Sequence, residues 1–221
     1  MMITERNAPV EFIANPEPRC PLVFLLDTSG SMAGAPITEL NYSLQVFKDE
    51  LLKDTIASRR VEVAVITFDS SVVIVQDFVS IELFQPPILT AQGGTDMGSG
   101  IETALDLIDE RKKIYRQNGV VYFRPWIFML TDGQPTCSYK QAAARIKEAE
   151  TMRKLAFFAV GVDGANMAIL KEIAIRSPFR LHGLQFKEMF MWLSASMTAV
   201  SKTSMNEKTV LPPPPEGWDQ I

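Results

Sequence analysis

The chain has 221 residues, 47% of them apolar and 22% charged, with a net charge of −4. That is enough for one α/β domain with a sizeable core and cramped for two, and the acidic balance argues against nucleic-acid or anionic-membrane partners, which require a basic face. The start carries no basic and apolar leader, and the most membrane-like stretch, MFMWLSASMTAV, falls short of the ~20 apolar residues of a span, so a cytoplasmic location is expected.

Residues 1–19 read as an N-terminal extension, 20–202 as the domain and 203–221 as a Pro-rich tail. LVFLL (22–26) is a continuous apolar run, as in a strand covered on both faces. From Ile37, apolar residues recur at Leu40, Leu44, Phe47 and Leu51, one helical stripe. VEVAVITF (61–68) and VVIVQDFV (72–79) are β-branched and separated only by DSS, which makes them an antiparallel hairpin. GGTDMGSG then leads into a helix with Ile101, Ala104, Leu105 and Ile108 on one side. WIFML (126–130) is a second buried strand, ending in Thr131, Asp132 and Gly133. A helix over 139–154, a strand over 155–162 and a short helix over 167–175, N-capped by Asn166, follow. A strand over 179–184 and a Met-rich helix over 186–201 close the domain.

Strands alternating with helices of this length predict right-handed crossovers, hence a doubly wound, mainly parallel α/β sheet with helices on both faces and one antiparallel edge strand. Cys20 and Cys137 fall at opposite ends of such a sheet. Its strands are roughly 15–20 Å long, beyond the about 7 Å between α-carbons that a disulfide tolerates, so both are expected as free thiols. The stripe Met189, Phe190, Trp192, Leu193 and Met197 is expected to pack on the sheet rather than form a partner groove. The tail LPPPPEGWDQI is expected to be extended, either a ligand for a proline-reading domain or folded back with the Trp218 indole in a surface groove.

Ligands of an open α/β sheet sit outside the carboxyl ends of its strands. Three loops bring oxygen side chains to that edge: Asp27–Thr28–Ser29–Gly30–Ser31, Gly94–Thr95–Asp96 and Thr131–Asp132–Gly133. Any one of them alone is more often a helix N-cap than a ligand. Together they suit a hard divalent cation, magnesium or manganese rather than calcium. Ser29, Ser31 and Thr95 would bind through their hydroxyls, and Asp27 and Asp132 would orient bound waters and balance the charge. A coordination position is then left for an acidic group from outside. Asp96 is either a neighbour of the metal shell or the cap of the next helix, and Glu102 and Asp106 on that helix are expected to be solvated.

DTSGSM, GGTDMGSG and FMLTDGQPT resemble the three motif segments of the von Willebrand factor A (VWA) domain, whose metal-ion-dependent adhesion site (MIDAS) reads D-x-S-x-S, T, D. The resemblance spans about 20–200 and assigns Asp27, Ser29, Ser31, Thr95 and Asp132 to the metal site. NPEPRCPLVFLLDTSGSM, PITELN and the late LPPPP…W further resemble the bacterial tellurium-resistance TerY-like VWA proteins. These resemblances imply the strand order 3-2-1-4-5-6 and metal-bridged binding of an aspartate or glutamate of another protein. They also imply a stress-response setting beside kinase and phosphatase partners.

Two other readings remain at this point. A magnesium-dependent phosphohydrolase would use the metal to activate water. Against it, Ser29 stands where a haloacid-dehalogenase phosphatase carries a second aspartate, and Ser99 where a phosphate-binding loop needs lysine. The sole histidine, His182, reads as structural, and no G-x-S-x-G occurs. A scaffold whose metal only staples loops would carry the same signature as the binding module.

Overall fold

The computed structural model describes residues 12, 14–132, 134–162, 164–181, 183, 185–204, 207 and 209–215. Gly133, His182 and Trp218 lie outside the described residues. Six strands form one sheet: β1 (Cys20–Asp27), β2 (Val61–Phe68), β3 (Val72–Ser80), β4 (Trp126–Thr131), β5 (Ala156–Gly161) and β6 (Phe179–Arg180). Their order is 3-2-1-4-5-6. All neighbours run parallel except β3, the antiparallel edge that the short DSS turn demands. The helices are α1 (Ala35–Leu52), α2 (Ala57–Arg60), α3 (Met97–Gln117), α4 (Lys140–Thr151), α5 (Met167–Ile173) and α6 (Phe186–Lys202).

Every residue of β1 and β2 is buried, as a sheet covered on both faces requires. Successive side chains of a strand point to opposite faces, and β1 divides accordingly. Leu22, Phe24 and Leu26 enter a core with Leu44 and Phe47 of α1 and Phe190 and Leu193 of α6. Val23 and Leu25 enter a second core with Ile101 and Ile108 of α3, Ile146 of α4 and Leu170 of α5. Phe24 is the hub of the first, with ring centroids 5.0 Å from Phe47 and 5.3 Å from Phe190. The Met-rich stripe of α6 is therefore core, with Met189, Phe190 and Leu193 wholly buried.

Several local expectations change. β6 has two residues rather than six, and α5 stops at Ile173. The short helix α2 and a 3-10 turn at Gly30–Met32 carry no periodic signal long enough to read. Glu102 and Asp106 are not simply solvated: Arg145 of α4 pairs with both, at 2.7 Å to Asp106, because α3 and α4 pack side by side. The start of the tail folds back, Leu211 packing on the first core and the Pro212 carbonyl accepting a hydrogen bond from Trp192 at 2.9 Å. Cys20 is buried, Cys137 exposed, and both are free. Among the described residues no helix is long and apolar enough to cross a membrane.

Candidate metal centre

β1 pairs with β2 on one side and β4 on the other, so the strand order reverses between β1 and β4. Their carboxyl ends open the crevice where such sheets take ligands. Asp27 closes β1 there and is fully buried. Its Oδ1 accepts the Ser29 backbone N–H at 2.8 Å, and its Oδ2 accepts the Thr131 hydroxyl from the end of β4. The carboxylate thus shapes its own loop and ties the two central strands together.

From that loop the hydroxyls run outward in a chain. Ser29 Oγ lies 3.1 Å from Ser31 Oγ, and Ser31 Oγ donates to Asp132 Oδ1 at 2.8 Å. An octahedral ion with metal–oxygen bonds of about 2.1 Å separates adjacent ligand oxygens by about 3 Å. The Ser29–Ser31 spacing therefore matches the edge of such a shell, with the Asp132 carboxylate held against Ser31 from outside it, and the donor set of neutral hydroxyls backed by carboxylates fits a hard divalent cation. Among the described residues no group of three or more His, Cys, Asp or Glu side chains is placed to hold a metal, so a cation held in this crevice would need serine or threonine oxygens as well.

Thr95 arrives by a longer route. β3 runs down the sheet, and residues 81–96 must climb back to the opposite edge. Asn41 of α1 clamps that segment in both directions, its Nδ2 donating to the Leu89 carbonyl at 2.9 Å and its Oδ1 accepting the Leu89 N–H at 2.8 Å. At the top, Gln92 N–H donates to Thr28 O at 2.8 Å and Gly30 N–H to Gly93 O at 3.0 Å. Gly93 holds φ +70°, and a Cβ there would sit 2.6 Å from Ser70 Oγ, so glycine is required. Ser70 Oγ also accepts the Gly94 N–H, while Thr136 brackets Thr95, accepting its N–H at 3.2 Å and donating its own to Thr95 O at 2.9 Å. Thr95 is buried against the first loop as a result. Asp96 is the helix cap, accepting the Ser99 N–H at 3.2 Å.

The structure thus brings Asp27, Ser29, Ser31 and Asp132 into one hydrogen-bonded chain and docks the Thr95 loop onto it. The sequence reading did not assign Thr131, Asn41, Ser70 or Thr136. Thr131 beside Asp132 at the strand end was the visible signal; the others had none. Burial raises the Asp132 carboxyl above its ordinary value of 3.8, the Asp27 charge adds to this, and the Ser31 hydroxyl opposes it. Two carboxylates held close in a half-buried crevice repel one another, and a cation between them would relieve that.

A family model described as the von Willebrand factor type A domain matches residues 22–187. The chain belongs to that family. Solved structures with the same fold include proximal thread matrix protein 1 from the mussel byssus with a zinc-occupied MIDAS motif. It is 20% identical, with a TM-score of 0.52 over 85% of this chain and 46% of that one. The ArnB paralog VWA2 of Sulfolobus acidocaldarius is 15% identical, with a TM-score of 0.53 over 81% and 45%. The pilus adhesin SpaC of Lactobacillus rhamnosus GG, in its open conformation, is 13% identical with a TM-score of 0.66 over 82% and 30%. This VWA chain spans less than half the length of these structures, and at such identities the likeness is one of fold. No curated protein matches it in sequence.

Proposed function

We propose that this VWA chain is a non-enzymatic, metal-dependent protein–protein interaction module. Ser29, Ser31 and Thr95 would contact a magnesium or manganese ion through their hydroxyls, with Asp27 and Asp132 orienting its waters. An aspartate or glutamate of a partner protein would complete the shell. The observation that carries this reading is the run Ser29 Oγ, Ser31 Oγ, Asp132 Oδ1 at 3.1 and 2.8 Å, on the crevice between β1 and β4. Neutral hydroxyl contacts leave an ion electrophilic, so an external carboxylate is a favourable last ligand. The zinc named in the mussel protein supports a divalent ion at the equivalent place. The resemblance to TerY-like proteins supports a bacterial cytoplasmic stress-response or tellurium-resistance setting, with kinase or phosphatase partners.

The loops are already joined by backbone hydrogen bonds such as Gly30 N–H to Gly93 O, which leaves little for a purely stapling metal to add. Calorimetric titration of the metal-stripped chain with Mg2+ and Mn2+ should give one site that Asp27→Ala and Ser29→Ala abolish. A pull-down from native lysate should then capture a partner with metal, lose it with chelator, and fail with Asp27→Ala. No ion binding sinks the whole reading. Ion binding with metal-independent capture leaves only the staple, and phosphate-ester turnover lost in Asp132→Ala would move the reading to an enzyme.

A further inference from the structure

The metal centre is ringed by loops without a cation. Five loops lie at the carboxyl edge of the sheet, 28–34, 69–71, 92–96, 132–139 and 162–166, and no lysine, arginine or histidine occurs in any of them. Among the described residues they carry instead Asp69, Asp96 and Asp132, beside Asp27 at the end of β1. Asp69 and Asp96 flank the Thr95 loop as one unit, because the Asp69 carbonyl accepts the Asp96 N–H at 2.7 Å. Asp132 stands across the centre, against Ser31. The rest of the surface that solvent reaches here is small or neutral, with Ala33, Gly34, Ser70, Gln92 and Gln134 exposed. Selection by charge at this edge therefore falls to the aspartates.

Positive charge is gathered elsewhere. Lys112, Lys113, Arg116, Arg124, Arg153 and Lys154 line one cavity at the other end of the sheet, where β4 and β5 begin. Those strands are 6 residues long. Roughly 20 Å then separates the two ends, well beyond the about 8 Å over which exposed charges act at physiological ionic strength. Lys140, exposed at the start of α4, is the one basic residue that adjoins the five loops in sequence. Arg180, in register with Gly161 at the end of β5, keeps its Nε buried. A divalent ion would neutralise two of the four carboxylates, so even with Lys140 counted the edge stays anionic around a loaded metal. An approaching partner meets a centre that attracts one carboxylate and a rim that repels a second.

We propose that Asp69 and Asp96 are specificity-determining residues of the metal centre, selecting a partner whose liganding aspartate or glutamate stands alone among lysines and arginines. The inference rests on the metal-bridged reading above and adds what surrounds the bridging carboxylate. Complementary charges across an interface set which partner docks more than how tightly, and like charges brought together discriminate against the wrong one. The structural tasks of both aspartates leave their charge in place. Asp69 Oδ1 accepts the Ser71 N–H at 2.7 Å and the Ser71 hydroxyl at 3.0 Å, and Asp96 Oδ1 accepts the Ser99 N–H at 3.2 Å, all neutral donors.

The test uses the full chain loaded with Mn2+ and three short peptides, each with one central aspartate, flanked by lysines, by serines or by glutamates. Fluorescence anisotropy at low ionic strength should rank the lysine-flanked peptide tightest and the glutamate-flanked one weakest. Chelator, or asparagine at the centre of the peptide, should abolish binding of the lysine-flanked one. Asp69→Asn and Asp96→Asn keep an oxygen for each backbone N–H, so both should fold and bind Mn2+ like the wild type in calorimetric titration. Each should cut the advantage of lysine over serine flanks by about two- to fivefold, the scale of one exposed ion pair. The proposal is overturned if Mn2+ binds and no peptide does, if the flanks make no difference, or if neither variant reduces the lysine advantage. Tightest binding of the glutamate-flanked peptide, which would hand this edge to an acidic partner, overturns it too, as does binding of the lysine-flanked peptide in chelator. Failure of Mn2+ itself to bind, which calorimetry reports separately, sinks the metal-bridged reading and this inference with it.

Discussion

Asp132 is the residue whose protonation the centre most exposes to test. Its raised pKa means that the metal-free fold binds this proton more tightly than the unfolded chain does. Stability therefore falls as pH rises from the ordinary carboxylate value of 3.8 through the raised one. Asp132→Asn keeps an acceptor for Ser31 and removes the charge, so the chelated variant should melt at or above the wild type at pH 7 while losing any rise in melting temperature with Mn2+. A lower melting point in chelator would show that the carboxylate is not a repulsive element. Thr131→Val removes a donor to the buried Asp27 and should cost about 1–3 kcal/mol in urea unfolding. The two thiols differ by exposure and, for Cys20, by burial that raises its pKa far above the usual thiol range. A thiol reagent should titrate Cys137 alone in the native chain and both cysteines in denaturant.

The segment that carries Thr95 depends on contacts between elements. Asn41→Ala would leave the Leu89 peptide without its clamp, and is expected to cost about 1–3 kcal/mol and to weaken Mn2+ binding without touching a ligand. At the start of α3, a Cβ on Gly98 would lie 2.3 Å from the Ser138 carbonyl oxygen. Gly98→Ala should therefore lose about 1–3 kcal/mol through overpacking, read as a lower urea midpoint. These contacts also mark where sequence reading stops. Strand ends followed by Asp, Ser and Thr are local signals, so DTSGS, GTD and LTD were legible as one site, and the two-sided burial of β1 followed from its unbroken apolar run. Asn41, Ser70 and Thr136 act across 48, 24 and 41 residues as single polar side chains, without period or motif. The pairing of Glu102 with Arg145 required knowing which helices are neighbours. The strand order came from family resemblance, because spacing fixes the hairpin and the crossovers but not which parallel strands adjoin.

For the molecule as a whole, β1 is the member on which both cores and both halves of the sheet rest. Phe24 meets rings from α1, β4 and α6 at once. Phe24→Ala should cost about 3–5 kcal/mol, measured by chemical denaturation, and a loss near 1 kcal/mol would mean that the core collapses around the gap. The central position of β1 also imposes an order on biosynthesis. Leu22 pairs with Val63 on one side but with Trp126 on the other. At common translation rates of about 5–20 residues per second, the ribosome needs roughly 5–20 s after making β1 before β4 can emerge. For that interval one of the most apolar strands in the chain has a bare edge, the kind of surface that chaperones cover and aggregates recruit.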